Sequence, residues 1–270
     1  MRYSIRLSYD GNGFCGWQIQ NNATTVQEEL EKALRILCAE PISVTGAGRT
    51  DTGVNAINYM AHFELSGQAA MPPAQLCYKL NAILPKGICI HSVREEGDGF
   101  HARFDAKWRR YHYFIHFNKD PFCERYSYRS RSPLDMEAMN RAASFLLGTH
   151  DFSCFEKVGG NNATSICTVS EAGWETYTPV HASVMGFPCN EGDYIVFRIR
   201  ADRFLRNMVR AIVGSLLEVG RGKKDPEWIG KLIESGSRCD AGMSVPGNAL
   251  FFSGAGYDGE CRDEDRKLTE

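Results

Sequence analysis

Apolar and polar positions alternate from the start of the chain. Tyr3, Ile5, Leu7 and Tyr9 interleave with Arg2, Ser4, Arg6 and Ser8, which predicts a half-buried strand ending at the turn Asp10-Gly11-Asn12-Gly13. Thr25-Val26-Gln27-Glu28 then has capping-box form, and Val26, Leu30, Ala33, Leu34 and Leu37 follow at helical spacing. A short strand, Ile42-Ser43-Val44, precedes a glycine-rich loop. Beyond the loop Ile57, Tyr59, Ala61 and Phe63 alternate with Asn58, Met60, His62 and Glu64, a second long strand.

The later half runs in a similar order. Tyr111, Tyr113, Ile115 and Phe117 alternate as a strand. Ser132-Pro133 is expected to open a helix with Met136, Met139, Ala143, Leu146 and Leu147 on its apolar side. Strands are expected around Ser165–Val169 and Tyr194–Arg200, and a long helix over about Arg203–Val219 that stops at Gly220. Asp225-Pro226 caps a last helix ending near Gly236. On that long helix Arg203, Arg206 and Arg210 would form one basic stripe. The pattern implies an α/β fold of two halves joined near residue 105. The expected domains are 1–105, 106–257 and an acidic tail, 258–270. No sequence repeat between the halves is strong enough to prove duplication.

Composition narrows the class. At 270 residues and 43% hydrophobic content the chain can bury a sizeable core, and no apolar run approaches a membrane span. The first residues lack the apolar block of a secretion signal, so the ten cysteines are expected to be reduced and mostly buried. The histidines do not combine with cysteines at zinc-ligand spacing, so no structural metal is expected. A cytoplasmic protein fits these features.

Charge changes the picture only when mapped. The formal net charge is -2, but 258–270 carries six acids and three bases, so the rest of the chain is at +1. Residues 100–131 hold eight bases against three acids, and 198–224 eight against two. Most of these bases are arginines, whose planar fork suits phosphate. Two basic blocks in an otherwise acidic chain fit a polyanionic partner, and solvated faces paired with acids are the alternative.

The strongest chemical signal is Gly46-Ala47-Gly48-Arg49-Thr50-Asp51-Thr52-Gly53-Val54-Asn55-Ala56. It sets one carboxylate among glycines, two residues after a guanidinium, on a connection between strands. It fails the dinucleotide fingerprint because Asp51 stands where the third glycine belongs. Asp51-Thr52-Gly53 is also an aspartic-protease tripeptide, but it occurs once, and that chemistry needs two carboxylates. An active-site loop with Asp51 at its tip is the better reading.

Further segments join that loop: Phe100-His101-Ala102-Arg103-Phe104, Arg109-Arg110-Tyr111-His112-Tyr113, and Asn207-Met208-Val209-Arg210 with Ile212-Val213-Gly214. Asn81-Ala82-Ile83-Leu84-Pro85 and Phe14-Cys15-Gly16-Trp17-Gln18 belong with them. Together, collinear from about residue 3 to residue 257, they resemble the TruA family of tRNA pseudouridine synthases. The resemblance implies a pseudouridine synthase fold, with two related halves around a central, mainly antiparallel sheet flanked by helices. It also implies isomerisation of uridine at positions 38, 39 and 40 of the tRNA anticodon stem-loop by a homodimer without cofactor. No other protein partner is implied. By position, Asp51 matches the family's essential aspartate, Arg210 the basic residue that pairs with it, and Tyr111 the tyrosine that packs on the target base. Arg49 matches an arginine that helps displace the nucleotide. Arg103, Arg110 and Arg206 are expected to contact the RNA, and Leu250 to line the pocket. The chain departs from the pattern at Asn55, where histidine is usual, and at Ser153-Cys154-Phe155.

Overall fold

The computed structural model describes residues 1–67, 71–157, 159 and 163–258. The acidic tail beyond residue 258 lies outside them. The chain divides into two compact units, one formed by Met1–Arg109 with the chain from Phe252 onward, the other by Arg110–Phe251.

In the first unit the predicted alternation becomes β1, Arg2–Tyr9. The N-cap forms as expected: the Thr25 hydroxyl accepts the Glu28 N–H at the start of α1, Val26–Cys38, which buries Val26, Leu30, Ala33 and Leu34. Then come β2, Val44–Gly46, and β3, Asn55–Glu64, with the Asp51 loop between them. Two elements went unread in the sequence, α2, Pro73–Ile83, and β4, Ile88–Glu96. β1 runs antiparallel to both β3 and β4, pairing Ile5 with Ala61 and with Val93. The Asn81 side chain mimics a strand by donating to the Ile90 carbonyl at 2.7 Å and accepting its N–H at 2.8 Å, which ties α2 to β4.

The second unit takes up the chain within β5, Trp108–His116, followed by the two-residue β6, Tyr128–Arg129. Next come α3, Met136–Ser144, β7, Gly148–Asp151, β8, Ile166–Thr176, and the short α4, Val180–Ser183. β9, Tyr194–Ala201, α5, Met208–Gly220, and α6, Trp228–Ser235, complete it. β10, Leu250–Gly256, returns the chain to the first unit, where it lies beside β3. Strand order in the second unit is β5-β9-β8-β7, with β8 antiparallel to both β7 and β9, and β6 parallel to β5. The fold is α/β, with mostly antiparallel strands and flanking helices.

Three expectations need correction. α3 opens at Asp135, whose carboxylate accepts the Ala138 N–H at 2.8 Å, and not at Ser132-Pro133. Asp is the better cap because its side chain reaches the free N–H groups of the first turn. α5 opens at Met208, not near Arg203. Asn207 adopts a left-handed conformation (φ 64°, ψ 3°), which interrupts any helix, and asparagine tolerates it better than most residues. Arg203 and Arg206 therefore precede the helix, and no stripe of three arginines exists. The cysteines are not mostly buried: of the nine described, all free of disulfides, Cys154 and Cys167 are buried, while Cys89, Cys189 and Cys239 are exposed.

α5 is apolar nearly all round, with Met208, Val209, Ile212, Val213, Leu216 and Leu217 buried. Gly214 lets the backbone at Met243 press directly onto this helix, where a Cβ would run into the Met243 carbonyl oxygen. Ser215 completes the contact, its hydroxyl accepting the Gly242 N–H at 2.8 Å and donating to the Ala211 carbonyl at 2.9 Å. Gly214→Ala should therefore displace the 242–244 segment and destabilise the protein by about 3 kcal/mol. A urea-unfolding midpoint equal to that of the wild type would contradict this packing.

Candidate active site

The Asp51 loop rests on an aromatic floor. Trp17 and Tyr59 lie 4.3 Å apart between ring centroids, with Tyr9 5.6 Å and Phe252 5.1 Å from Tyr59. The buried Tyr59 hydroxyl donates to the Gly48 carbonyl, and the Tyr9 hydroxyl lies 2.8 Å from the buried Thr50 hydroxyl. Gly46 has no room for a side chain, since a Cβ there would meet the Tyr59 hydroxyl and the Trp17 indole. The apolar alternation of β1 and β3 thus supplies polar tips that hold the loop.

A second loop, residues 10–17, grips the first from the side. The Trp17 N–H donates to the Thr50 carbonyl at 3.2 Å and the Gly53 N–H to the Phe14 carbonyl at 3.3 Å. The Val54 N–H donates to the Asp51 carbonyl at 3.1 Å and closes a turn around the aspartate. Gly16 has φ +85° and sits so close that a Cβ would strike the Thr50 carbonyl. At the base of the loop the Asn55 side chain, 1% exposed, accepts the Gly11 N–H at 2.8 Å. Asn55 therefore serves the grip between the two loops, a role that burial and not sequence reveals.

Arg109 falls in a basic block and in the segment Arg109–Tyr113 by sequence, with no role of its own expected there. Its guanidinium donates to the Ala47 carbonyl at 3.1 and 3.3 Å, to the Ala106 carbonyl at 2.8 Å and to the Arg103 carbonyl. One planar cation so joins the approach to the Asp51 loop with the segment carrying Arg103. That segment is itself tied to β3, because the His62 Nδ1 accepts the Ala102 N–H at 3.1 Å. Burial, followed by the neighbouring His101 and Arg2, pushes His62 down to about 4.

Of the expected site residues, Asp51, Arg49 and Arg103 belong to the first unit. Asp51 is half-buried, and Arg49 and Arg103 are exposed. Tyr111, Arg110, Arg206, Arg210 and Leu250 belong to the second. There Tyr111 is 8% exposed on β5, with the Phe204 ring edge-on at 5.1 Å. Arg210, on the first turn of α5, donates from Nε to the Val245 carbonyl at 2.8 Å, and the Val245 N–H returns a bond to the Arg210 carbonyl at 3.2 Å. Asn207 and Arg238 both donate to the Ser244 hydroxyl, at 2.6 and 2.9 Å. The segment before Leu250, itself 4% exposed, is thereby strapped to the helix that carries Arg210. Arg206 is exposed, and its carbonyl accepts the Lys157 N–H at 3.0 Å. Arg110 is half-buried on β5.

The basic blocks are less open than their charge suggests. Arg198 pairs with Glu175 across β8 and β9, Arg221 and Lys223 both pair with Glu218, and Lys107 pairs with Asp258.

Among the described residues one group brings potential metal ligands together, with Asp120, Cys123 and His181 offering atoms within 4.8 Å of one another. Asp120 is 1% exposed and saturated with donors. Oδ1 accepts the Phe122 N–H at 2.9 Å, and Oδ2 lies 2.7 Å from His181 Nε2 and accepts the Tyr194 hydroxyl at 2.8 Å. Burial raises its pKa, but these bonds and one from Cys123 outweigh it and bring it to about 2. Burial and the Asp120 carboxylate push the Cys123 thiol up to about 12. A protonated thiol donating to a satisfied carboxylate is a closed hydrogen-bond cluster that ties the 120–126 turn to α4 and β9.

The chain belongs to the tRNA pseudouridine synthase family, a class of RNA-modifying isomerases, whose model matches residues 7–105 and 142–258. The particular relatives agree. The chain is 45% identical over 256 residues to tRNA pseudouridine synthase A of Parabacteroides distasonis, covering 95% of this chain and 96% of the relative. It is 45% identical over 268 residues to the enzyme of that name from Bacteroides thetaiotaomicron, covering 99% and 95%. The one from Acetivibrio thermocellus is 39% identical over 248 residues, covering 91% and 95%.

Two expected outcomes test the loop's anchoring. Gly16→Ala should lower tRNA-modifying activity at least tenfold, because the added methyl group cannot fit without moving Thr50 and Asp51; wild-type activity would show the contact to be dispensable. His62, with its pKa depressed in the folded state, adds stability above its unfolded value of 6.5, and that stability falls as pH drops toward about 4. Between pH 7 and pH 5 the wild type should lose about 2 kcal/mol relative to His62→Asn, measured by urea unfolding. Parallel pH profiles would overturn the assignment.

Proposed function

We propose that this protein converts uridine to pseudouridine at positions 38, 39 and 40 of the tRNA anticodon stem-loop, in the cytoplasm, as a homodimer without cofactor. The observation that carries the reading is the loop that bears Asp51, held from below by Tyr9 and Tyr59 at Thr50 and Gly48 and from the side by residues 10–17. Near full-length similarity to enzymes named tRNA pseudouridine synthase A supports it.

The reaction breaks the C1′–N1 glycosidic bond, turns the uracil and forms a C1′–C5 bond; C5 then loses its hydrogen as a proton and the freed N1 takes one up, so the product is an isomer of the substrate. Nothing is oxidised or reduced, so the balance needs no redox partner. Asp51 acts as the nucleophile or as the anion that stabilises the sugar cation. Arg210 is the basic residue that pairs with it. Tyr111 stacks on the target base, worth about 1–3 kcal/mol, and its hydroxyl serves the final proton transfer. A base within a stem must first be flipped out at a cost of a few kcal/mol. Arg49 assists that displacement, Arg103, Arg110 and Arg206 hold RNA phosphates, and Leu250 lines the base pocket.

The test uses tRNA transcripts carrying tritium at C5 of uridine. Wild-type protein should release tritium into water, and Asp51→Asn should reduce release by at least a thousandfold while still binding tRNA. Binding without release by the wild type would leave a tRNA-binding protein, and release by Asp51→Asn at the wild-type rate would remove the aspartate from the chemistry.

A further inference from the structure

Residues 100–106 form a turn with far more anchoring than its exposure requires. Phe104 is 74% exposed, yet the backbone around it is fixed on every side. The His101 Nδ1 accepts the N–H groups of both Arg103 and Phe104 at 3.2 Å. Asp105 accepts the His101 N–H at 2.7 Å, and the Asp105 N–H returns to the His101 carbonyl at 3.0 Å. Ala102 is held by His62 at its N–H and by the Tyr257 hydroxyl, 2.6 Å away, at its carbonyl. A lone exposed phenylalanine is common and by itself means little. One on a locked turn is different, because the position of its ring is decided before anything binds.

The chemistry around the ring is that of a base-stacking platform. The His101 ring stacks on Phe104 at 4.2 Å between centroids and 28° between planes. The Arg103 guanidinium carbon lies 5.8 Å from the Phe104 centroid. Stacked aromatic, imidazole and guanidinium groups are the set on which proteins lay unpaired nucleobases. The same turn is joined to the Asp51 loop by Arg109, which donates to the carbonyls of Arg103, Ala106 and Ala47. A base on Phe104 would therefore be held in fixed register with the catalytic carboxylate.

We infer that Phe104 is a positioning residue, the platform on which an unstacked nucleobase of the RNA substrate lies while Asp51 acts on its neighbour. The inference rests on the RNA-isomerase reading above. A second copy of this chain is the other occupant that an exposed aromatic ring could take, and the exposed Arg103 beside it favours the polyanion.

Phe104→Ala and Phe104→Trp separate the outcomes. The alanine variant should raise both the tRNA dissociation constant and KM about tenfold. Because the ring acts by holding the substrate, kcat should change far less than KM, and thermal midpoint and oligomeric state should stay at wild-type values. The tryptophan variant should bind as the wild type does, and its fluorescence in excess of that of the four native tryptophans should be quenched on adding tRNA. Unchanged binding and KM in Phe104→Ala, with the wild type active, would overturn the platform alone. A fall in thermal midpoint or a change in oligomeric state would overturn it in favour of protein packing. A wild type that releases no tritium from any tRNA would sink the underlying reading as well.

Discussion

The grip of one loop on another is the constraint on which the site depends. Asp51 lies in a stretch with no regular secondary structure, and such a stretch costs conformational entropy to hold still. Here the cost is offset by backbone bonds from Trp17 and Gly53, by the tyrosine hydroxyls beneath and by the side chain of Asn55. Each contact demands close approach, which is why Gly46 and Gly16 carry no side chain. A loop held by several short contacts loses little freedom when a ligand arrives, and preorganisation of that kind lowers barriers more than added affinity would.

The arginines divide into three kinds. Arg109 and Arg210 use their guanidinium groups on backbone carbonyls, so each fixes a segment that carries candidate site residues. Arg198 and Arg221 are paired with glutamates. Net charge within a sequence window therefore overstates what a polyanion meets. The electrostatic case for an RNA partner rests on exposed groups such as Arg49, Arg103 and Arg206, and on the family to which the chain belongs.

Much of the molecule was legible before any coordinates. Period-two alternation gave β1, β3, β5 and β9, because each buries at least one face against other elements. The capping box gave the start of α1 to the residue. α2 and β4 escaped because their apolar residues follow neither period cleanly, and the Asn81 bond that joins them is invisible in a pattern. The start of α5 was misplaced because apolar spacing continues through Phe204 and Leu205, while one backbone angle at Asn207 decides where the helix begins.

The sequence by itself determined the chemistry on offer: a carboxylate set among glycines, a tyrosine on a strand, an arginine on an apolar helix, and the order in which they occur. These are local properties, encoded by residue type and near neighbours. Only the tertiary structure decided which groups are free to act. It took Arg109 out of the basic block and made it a clamp, gave Asn55 to the loop contact and gathered Asp120, Cys123 and His181 into one cluster. The physical reason is that hydrogen bonds and burial depend on neighbours tens of residues away, and no window of sequence contains them.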